Sequence, residues 1–299
     1  MADAFVIETA DLRKQYGEVK ALRGLSLQVP SGSIYGFLGR NGAGKTTAIK
    51  ILLGMVRPTS GSARVFGFDA DDVESGVEIR RRIGFVSEEK DLFETLTVGE
   101  IIRFTASFYP RWQRDAEERY RRAFDLPLDR KVRALSRGTR TKLALLLALC
   151  RGADLLVLDE PTSGLDPATT EEVLQALVAH VAGGTSTVFF SSHQIVEVEQ
   201  IADRLAIVDR GTVVVSGALD DLREQYRRVQ LIFDGDAPEA VFRAPGIVRT
   251  RRRGRVLTIL SSAGSERLLD EARALNPATV DVAPVALKEI FLETVAAED

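Results

Sequence analysis

The sequence predicts an α/β protein: a parallel sheet covered by helices, with a smaller second domain after it. Three observations carry that expectation. A strand, a glycine-dense turn and a helix follow one another in SIYGFLGRNGAGKTTAIKILLGMV, which begins at Ser33. Strand-like runs recur at LLVLDE, TVFFSS and RLAIVD, separated by the helical segments TTEEVLQALVAHV and QIVEVEQIA, which is the rhythm of parallel strands with helical crossovers. The 299 residues, 45% apolar and 28% charged, can bury a sizeable core and lie far from disordered compositions.

In chain order, Phe5 to Pro30 reads as antiparallel strands, because Phe5 and Ile7, then Leu25, Leu27 and Val29, are spaced by two. Next come an apolar strand at Ile34 to Leu38 and an amphipathic helix from about Lys45 to Leu53. Between about Glu88 and Arg151 the texture turns helical, with Phe104, Phe108, Tyr109 and Trp112 interrupted by Pro110, followed by the charged RDAEERYRRAF. That block is expected to form a separate helical arm. After Gly217 the expected order is a strand at Val229 to Phe233, a short helix, a hairpin turning near Arg253 and Gly254, a helix, a strand and a last helix. Residues 1–218 are therefore expected as the main domain and 219–299 as a small α+β domain.

Charge and cysteine content narrow the function classes. Forty basic residues against forty-three acidic ones give a net charge of −3, too balanced for a general nucleic-acid magnet. The cluster TRRRGR at Thr250 to Arg255 reads as a solvated hairpin, since residues 220–299 carry twelve basic and fourteen acidic side chains. A single cysteine, Cys150, allows no internal disulfide and no multi-cysteine metal centre, which fits a reducing compartment. The apolar run Leu143 to Cys150 is bracketed by Lys142 and Arg151 and is much shorter than the roughly 18 residues of a membrane span. The N-terminus, with acids among its apolar positions, does not read as a signal peptide.

The chemistry is concentrated in two stretches. GRNGAGKT, comprising Gly39, Arg40, Asn41, Gly42, Ala43, Gly44, Lys45 and Thr46, has the spacing of a phosphate-binding loop and sits between a strand and a helix, where such a loop must sit. Its glycines let successive backbone N–H groups turn toward phosphate oxygens, and the following helix adds the positive end of its dipole. Lys45 is expected on the β and γ phosphates, the Thr46 hydroxyl on Mg²⁺ and Thr47 on the α phosphate. In LLVLDE, four apolar residues of a buried strand end in Asp159 and Glu160, at the carboxyl end where parallel sheets form their ligand sites. Asp159 suits Mg²⁺ held through water, and Glu160 suits a group that orients or deprotonates an attacking water.

Together these residues resemble the nucleotide-binding subunits of ATP-binding cassette (ABC) transporters over roughly residues 5–218. ALSRGTRTKLALLLAL at Ala134 to Leu149 resembles the family signature, SGLD at Ser163 to Asp166 resembles its D-loop, and His193 in FFSSH resembles its switch histidine. Tyr16, in KQYGEVKAL, resembles the aromatic residue that stacks on adenine; the alternative is a tyrosine of the core. His180 matches no motif and is read as structural. Glu88 falls where the family usually has a glutamine near Mg²⁺ and the attacking water; a carboxylate there would bind the metal more strongly but add negative charge beside the γ phosphate. In the signature, Arg137 replaces a glycine and Thr139 a glutamine, while Ser136 and Gly138 remain. Arg137 either strengthens phosphate binding or points into solvent, and solvent is the reading taken. FYPRW, FDLPLDRKVRALSRG and LKEIFLETV resemble the cassettes of type-2 ABC exporters.

The resemblance implies a P-loop NTPase core with an antiparallel β subdomain and a helical subdomain at about 88–151. It implies ATP as substrate with Mg²⁺, Glu160 and His193 as catalytic residues, and Thr46, Asp159 and Glu88 around the metal. It further implies pairing with itself or a homologous cassette, so that Ser136, Arg137, Gly138 and Asp166 act on the nucleotide of the other chain, and a separate integral membrane permease at the cytoplasmic face of the cell membrane. A soluble ABC ATPase acting on nucleic acid or ribosomes is disfavoured, because no long heptad arm, zinc-binding cysteines or second cassette is present. A catalytically weak regulatory cassette is disfavoured by Lys45, Asp159, Glu160 and His193.

Overall fold

The computed structural model describes residues 5–184, 186–263 and 266–295, and the chain divides into two compact units, 1–213 and 214–299. In the first unit the alternation of the N-terminal segment folds into two long strands, β1 (Phe5–Tyr16) and β2 (Val19–Pro30), followed by β3 (Ile34–Gly39) and helix α1 (Lys45–Leu52). Strand β4 (Ser60–Val65), the two-residue β5 (Phe68–Asp69), helix α2 (Val73–Arg82) and β6 (Ile83–Val86) lead into the helical block α3 (Val98–Ala106), α4 (Arg114–Ala123) and α5 (Arg137–Leu149). The remainder alternates as expected: β7 (Leu155–Leu158), α6 (Pro167–Ala182), β8 (Thr187–Ser192), α7 (Ile195–Ile201), β9 (Arg204–Asp209) and β10 (Thr212–Ala218), the strand in which the division falls.

These strands form two sheets. An antiparallel sheet runs β2-β1-β4-β5, and a six-stranded sheet runs β10-β9-β3-β8-β7-β6, in which β9, β3, β8, β7 and β6 are parallel to one another. Their side chains meet in one core. Leu12, Leu25 and Val29 of the antiparallel sheet and Phe37, Val157 and Phe189 of the parallel sheet share it with Ile49 and Leu52 of α1. Helix α1 is thus held between the layers, which fixes the loop in front of it. The central parallel strands β3, β7 and β8 are buried along their whole length, so β3 and β7 do not alternate with polar residues, while β8 buries the hydroxyls of Thr187, Ser191 and Ser192.

Residues 143–149 of α5 are all buried, and the helix packs against α3, α4, α6 and β6. A helix surrounded on every side needs no polar stripe, which explains the unbroken Leu/Ala run. No helix among the described residues is long and apolar enough to cross a membrane. The expected helical arm is therefore anchored to the parallel sheet through the end of α5. Cys150 lies buried at that end, and burial pushes its thiol up to about 12.

The second unit contains α8 (Leu219–Gln225), β11 (Arg227–Ile232), β12 (Ile247–Arg253), β13 (Val256–Ser261), α9 (Glu266–Arg273), β14 (Thr279–Pro284) and α10 (Leu287–Thr294). Its antiparallel sheet runs β12-β13-β11-β14 over a core of Val229, Leu231, Leu257, Ile259, Leu268 and Ala272. The hairpin turns where expected, with Arg253 opposite Val256, and Arg251 to Arg253 are exposed. The short helix expected after β11 does not form: residues 234–246 are irregular. Gly235, Pro238, Pro245 and Gly246 explain this, since each proline lacks a donor and clashes with a preceding turn while each glycine adds backbone entropy. Helix α8, in contrast, was not expected from the sequence.

Candidate nucleotide-phosphate site

The order of strands assembles the site. Strand β8 lies between β3 and β7, so its carboxyl end stands between the phosphate loop that follows β3 and the acids that follow β7. In register, Leu38 lies opposite Ser192 and Leu158 opposite Phe190. Strands two places apart are about 10 Å from each other, a gap that a lysine and a glutamate side chain close together.

The loop from Gly39 to Gly44 is shaped by close backbone approach. Gly42 and Gly44 have φ of +81° and +104°, and a Cβ on Gly44 would lie 2.6 Å from the Ala21 carbonyl. A Cβ on Gly39 would meet the Val208 carbonyl at 2.6 Å. Ala43 N–H closes the turn onto the Arg40 carbonyl, while Arg40, Asn41 and Gly42 are exposed. Helix α1 begins at Gly44 with no side-chain cap, so its first N–H groups have no side-chain acceptor at that end. Uncapped N–H groups at the positive end of a helix dipole form an anion cradle. Thr46 and Thr47 occupy the first turn, half-buried.

Lys45 reaches across the strand ends. Only 5% exposed, it donates from Nζ to the Gly39 carbonyl at 2.7 Å and the Arg40 carbonyl at 3.2 Å, and pairs with Glu160 Oε1 at 3.0 Å. Glu160 Oε1 otherwise has no directed hydrogen bond. The other oxygen, Oε2, is 2.8 Å from His193 Nδ1. Glu160 itself is 5% exposed and turned into the left-handed region at φ +47°, a conformation that costs a non-glycine residue about 1–2 kcal/mol. Local bonds hold it there. Its N–H donates to Ser191 Oγ at 2.9 Å, and Ser191 Oγ donates to Asp159 Oδ1 at 2.7 Å. Its carbonyl accepts from Lys90 Nζ at 3.1 Å and from Ser163 N–H at 3.2 Å. One serine therefore fixes both carboxylate residues.

A cleft of about 510 Å³ opens beside this network, lined by Thr46, Glu88, Lys90 and Asp159 among others. Thr46 and Asp159 supply hard oxygen donors of the kind Mg²⁺ takes when phosphates and waters complete its shell. No group of three or more His, Cys, Asp or Glu side chains able to hold a metal occurs among the described residues. Glu88 is exposed on the cleft wall, and a second cleft of about 620 Å³ contains Glu88, Lys90, Arg137 and Arg140. Arg137 is exposed, as read from the sequence, yet its guanidinium lies against Gly164, so it is not directed freely into solvent.

Ser136 caps α5, accepting from Thr139 N–H at 3.1 Å, and Asp166 caps α6, accepting from Thr169 N–H at 2.9 Å. That backbone bond, then the Thr169 hydroxyl, holds the Asp166 carboxyl below its ordinary value. A Cβ on Gly138 would touch the Thr169 side chain at 3.2 Å, so the signature and D-loop stand side by side in one chain. None of the four residues Ser136, Arg137, Gly138 and Asp166 lines the Thr46–Asp159 cleft. Tyr16 ends β1 at 46% exposure with Lys14 Nζ 4.8 Å from its ring centre, so it is no core tyrosine.

Two participants escaped the sequence reading. Ser191 carried a usable signal, because a hydroxyl inside a fully buried strand must find a partner. Lys90 carried none: it is a lysine in the acidic run SEEKD, and its burial arises from a turn at φ +51° that no periodicity announces.

Comparison with known proteins gives a consistent result. Residues 22–163 match the ABC transporter family model, and residues 128–199 match a model described as an AAA domain, putative AbiEii toxin. The daunorubicin resistance ATP-binding protein DrrA3 of Streptomyces coeruleorubidus is 35% identical over 99% of this chain and 95% of its own length. The bacitracin transport ATP-binding protein BcrA of Bacillus licheniformis is 36% identical over 75% of this chain and 73% of its own. Among solved structures, an ATP-binding subunit of an ABC transporter superposes with a TM-score of 0.66 at 29% identity, covering 74% of this chain and 92% of that one. A bacterial ABC transporter cassette solved as a dimer gives 0.64 at 25% identity, covering 71% and 98%.

Proposed function

The chain belongs to the ABC transporter family of ATP-binding proteins, and on that premise we propose that it hydrolyses Mg²⁺-ATP to drive a separate membrane permease. The observation that carries the hydrolytic reading is Glu160, buried at a strand end and held between Lys45 and His193 beside an uncapped phosphate loop. The β and γ phosphates compete for the Lys45 ammonium against Glu160 and the carbonyls of Gly39 and Arg40, while the loop N–H groups and Thr47 receive the remaining oxygens. As Lys45 shifts to the phosphates, Glu160 Oε1 becomes free to accept a proton from water. His193 keeps the carboxylate oriented through Oε2 and offers its other ring nitrogen to the γ phosphate. Thr46, Asp159 and Glu88, which line one cleft, would hold Mg²⁺, and the metal would supply positive charge to the phosphates. Tyr16 supplies a ring face for adenine.

One chain carries one phosphate loop and one signature, and Ser136, Arg137, Gly138 and Asp166 do not line its own Thr46–Asp159 cleft. A second cassette, identical or homologous, would bring Ser136, Arg137, Gly138 and Asp166 onto the γ phosphate in trans. ADP lacks those contacts, so ATP favours the closed pair and hydrolysis releases it. The segment at Glu88, which joins the site to the helical block, is where the permease would take up that motion, placing the protein on the cytoplasmic face of the membrane. The drug-resistance and bacitracin relatives favour export. We assign residues 1–218 to the ATPase domain, with its helical part at 88–151, and 219–299 to an accessory domain.

Glu160→Gln tests the reading. It should bind ATP as the unaltered protein does, lose turnover on the order of a hundredfold or more, and accumulate an ATP-dependent dimer by gel filtration. Unaltered turnover would contradict the role of Glu160, and absence of ATP uptake in the unaltered chain would remove the function itself.

A further inference from the structure

We propose that Lys90 is a positioning residue for hydrolysis, whose buried ammonium holds the Glu160 carbonyl and balances the carboxylates of Glu88, Asp159 and Glu160. The inference rests on the ATPase reading above and extends it to a residue that no motif contains. Lys90 is 5% exposed, unusual for a lysine, and is turned at φ +51° with its N–H on the Ser87 carbonyl at 3.3 Å. Its Nζ bonds the carbonyl of Glu160, itself a non-glycine residue in the left-handed region. Two sparsely populated backbone conformations are thus tied to each other through one ammonium.

Charge supplies the second argument. Lys90 shares one cleft with Glu88 and Asp159, and its Nζ lies on the backbone of Glu160. Lys45 shares the work while it pairs with Glu160. Once Lys45 turns to the phosphates, Lys90 is the buried cation left to keep Glu160 in place. A positive charge fixed at the backbone of Glu160 also restrains the residue without protonating its side chain, which must stay a carboxylate to accept a proton.

The test uses the full chain and compares steady-state ATPase rates, ATP affinity by calorimetry and thermal melting. Lys90→Met should lower kcat about tenfold while the Kd for Mg²⁺-ATP changes less than threefold; loss of a merely structural clip would instead appear in melting and affinity together. Lys90→Arg, which keeps the charge, should run within threefold of the unaltered enzyme. Glu88→Gln should cost less in the Lys90→Met background than alone, because the two charges oppose each other. Turnover within twofold for Lys90→Met, or strictly additive effects with Glu88→Gln, would overturn the proposal. Should Lys90→Met fail to fold, Lys90→Gln against Lys90→Arg decides it: a tenfold gap supports the role, and equal rates refute it. An unaltered enzyme with no ATPase activity would bring down the functional reading first, whereas an active one indifferent to Lys90 defeats only this inference.

Discussion

Asp154, in the link between α5 and β7, accepts from Arg82 Nε at 2.7 Å and from Arg111 Nη2 at 3.0 Å. Burial raises its pKa, but the two guanidinium groups outweigh burial and leave the carboxyl below the usual range. A carboxyl depressed in the folded state stabilises it above the unfolded value, about 3.9, and that contribution disappears as pH falls through the folded value. Asp154→Asn should therefore cost about 1–2 kcal/mol at pH 7, with the two urea-unfolding curves converging as the pH falls below the ordinary carboxylate range. The residues proposed to act on the nucleotide are more legible than this one. Lys45, Asp159, Glu160 and His193 stand in short motifs whose residue types and spacing a sequence displays. Ser191 and Lys90 act through contacts across strands and a left-handed turn, and a linear pattern contains neither. Arg137 shows a related limit: its exposure could be read, but not its contact with Gly164, a residue 27 positions further along the chain.

Helix α3 opens with a reciprocal cap: Glu100 N–H donates to Thr97 Oγ1 at 3.2 Å, and Thr97 N–H donates to Glu100 Oε2 at 2.7 Å. Thr97→Ala should cost about 1 kcal/mol and speed hydrogen exchange at the first α3 amides. The backbone bond from Thr97, with its side chain second, holds the Glu100 carboxyl below its ordinary value. The cap should therefore weaken as acid protonates Glu100, and the exchange difference between the two proteins should shrink. Long elements with strong patterns were readable in advance. Strands β1 and β2, helix α6 and the hairpin at Arg253 all lie where alternation, helical period or turn residues put them. Short ones were not: the seven residues of α8 are too few to show a period, and 234–246 had enough helix-forming residues to suggest a helix while its prolines and glycines dissolved it.

Each unit of the chain has its own core, one centred on α1 between two sheets and one around Leu231 and Ile259. Ile259 is fully buried, so Ile259→Ala should remove about 3 kcal/mol from the second unit. Calorimetry should then show an earlier transition for that unit while ATP binding in the first is unchanged; a parallel loss of ATP binding would mean the two do not fold independently. At this scale the sheet of crossovers is legible, because it follows from the order of apolar runs, whereas the division of the chain at 213/214 falls inside a strand. How signature and D-loop adjoin through Thr169 required the packing of α5 on α6. Cys150 gives the molecule a further use. A thiol sealed inside the protein and held protonated will ignore maleimide and methanethiosulfonate reagents near neutral pH. Spin probes or fluorophores can therefore be attached to an engineered surface cysteine in the native background, and spectroscopic rulers can test whether two copies pair as proposed.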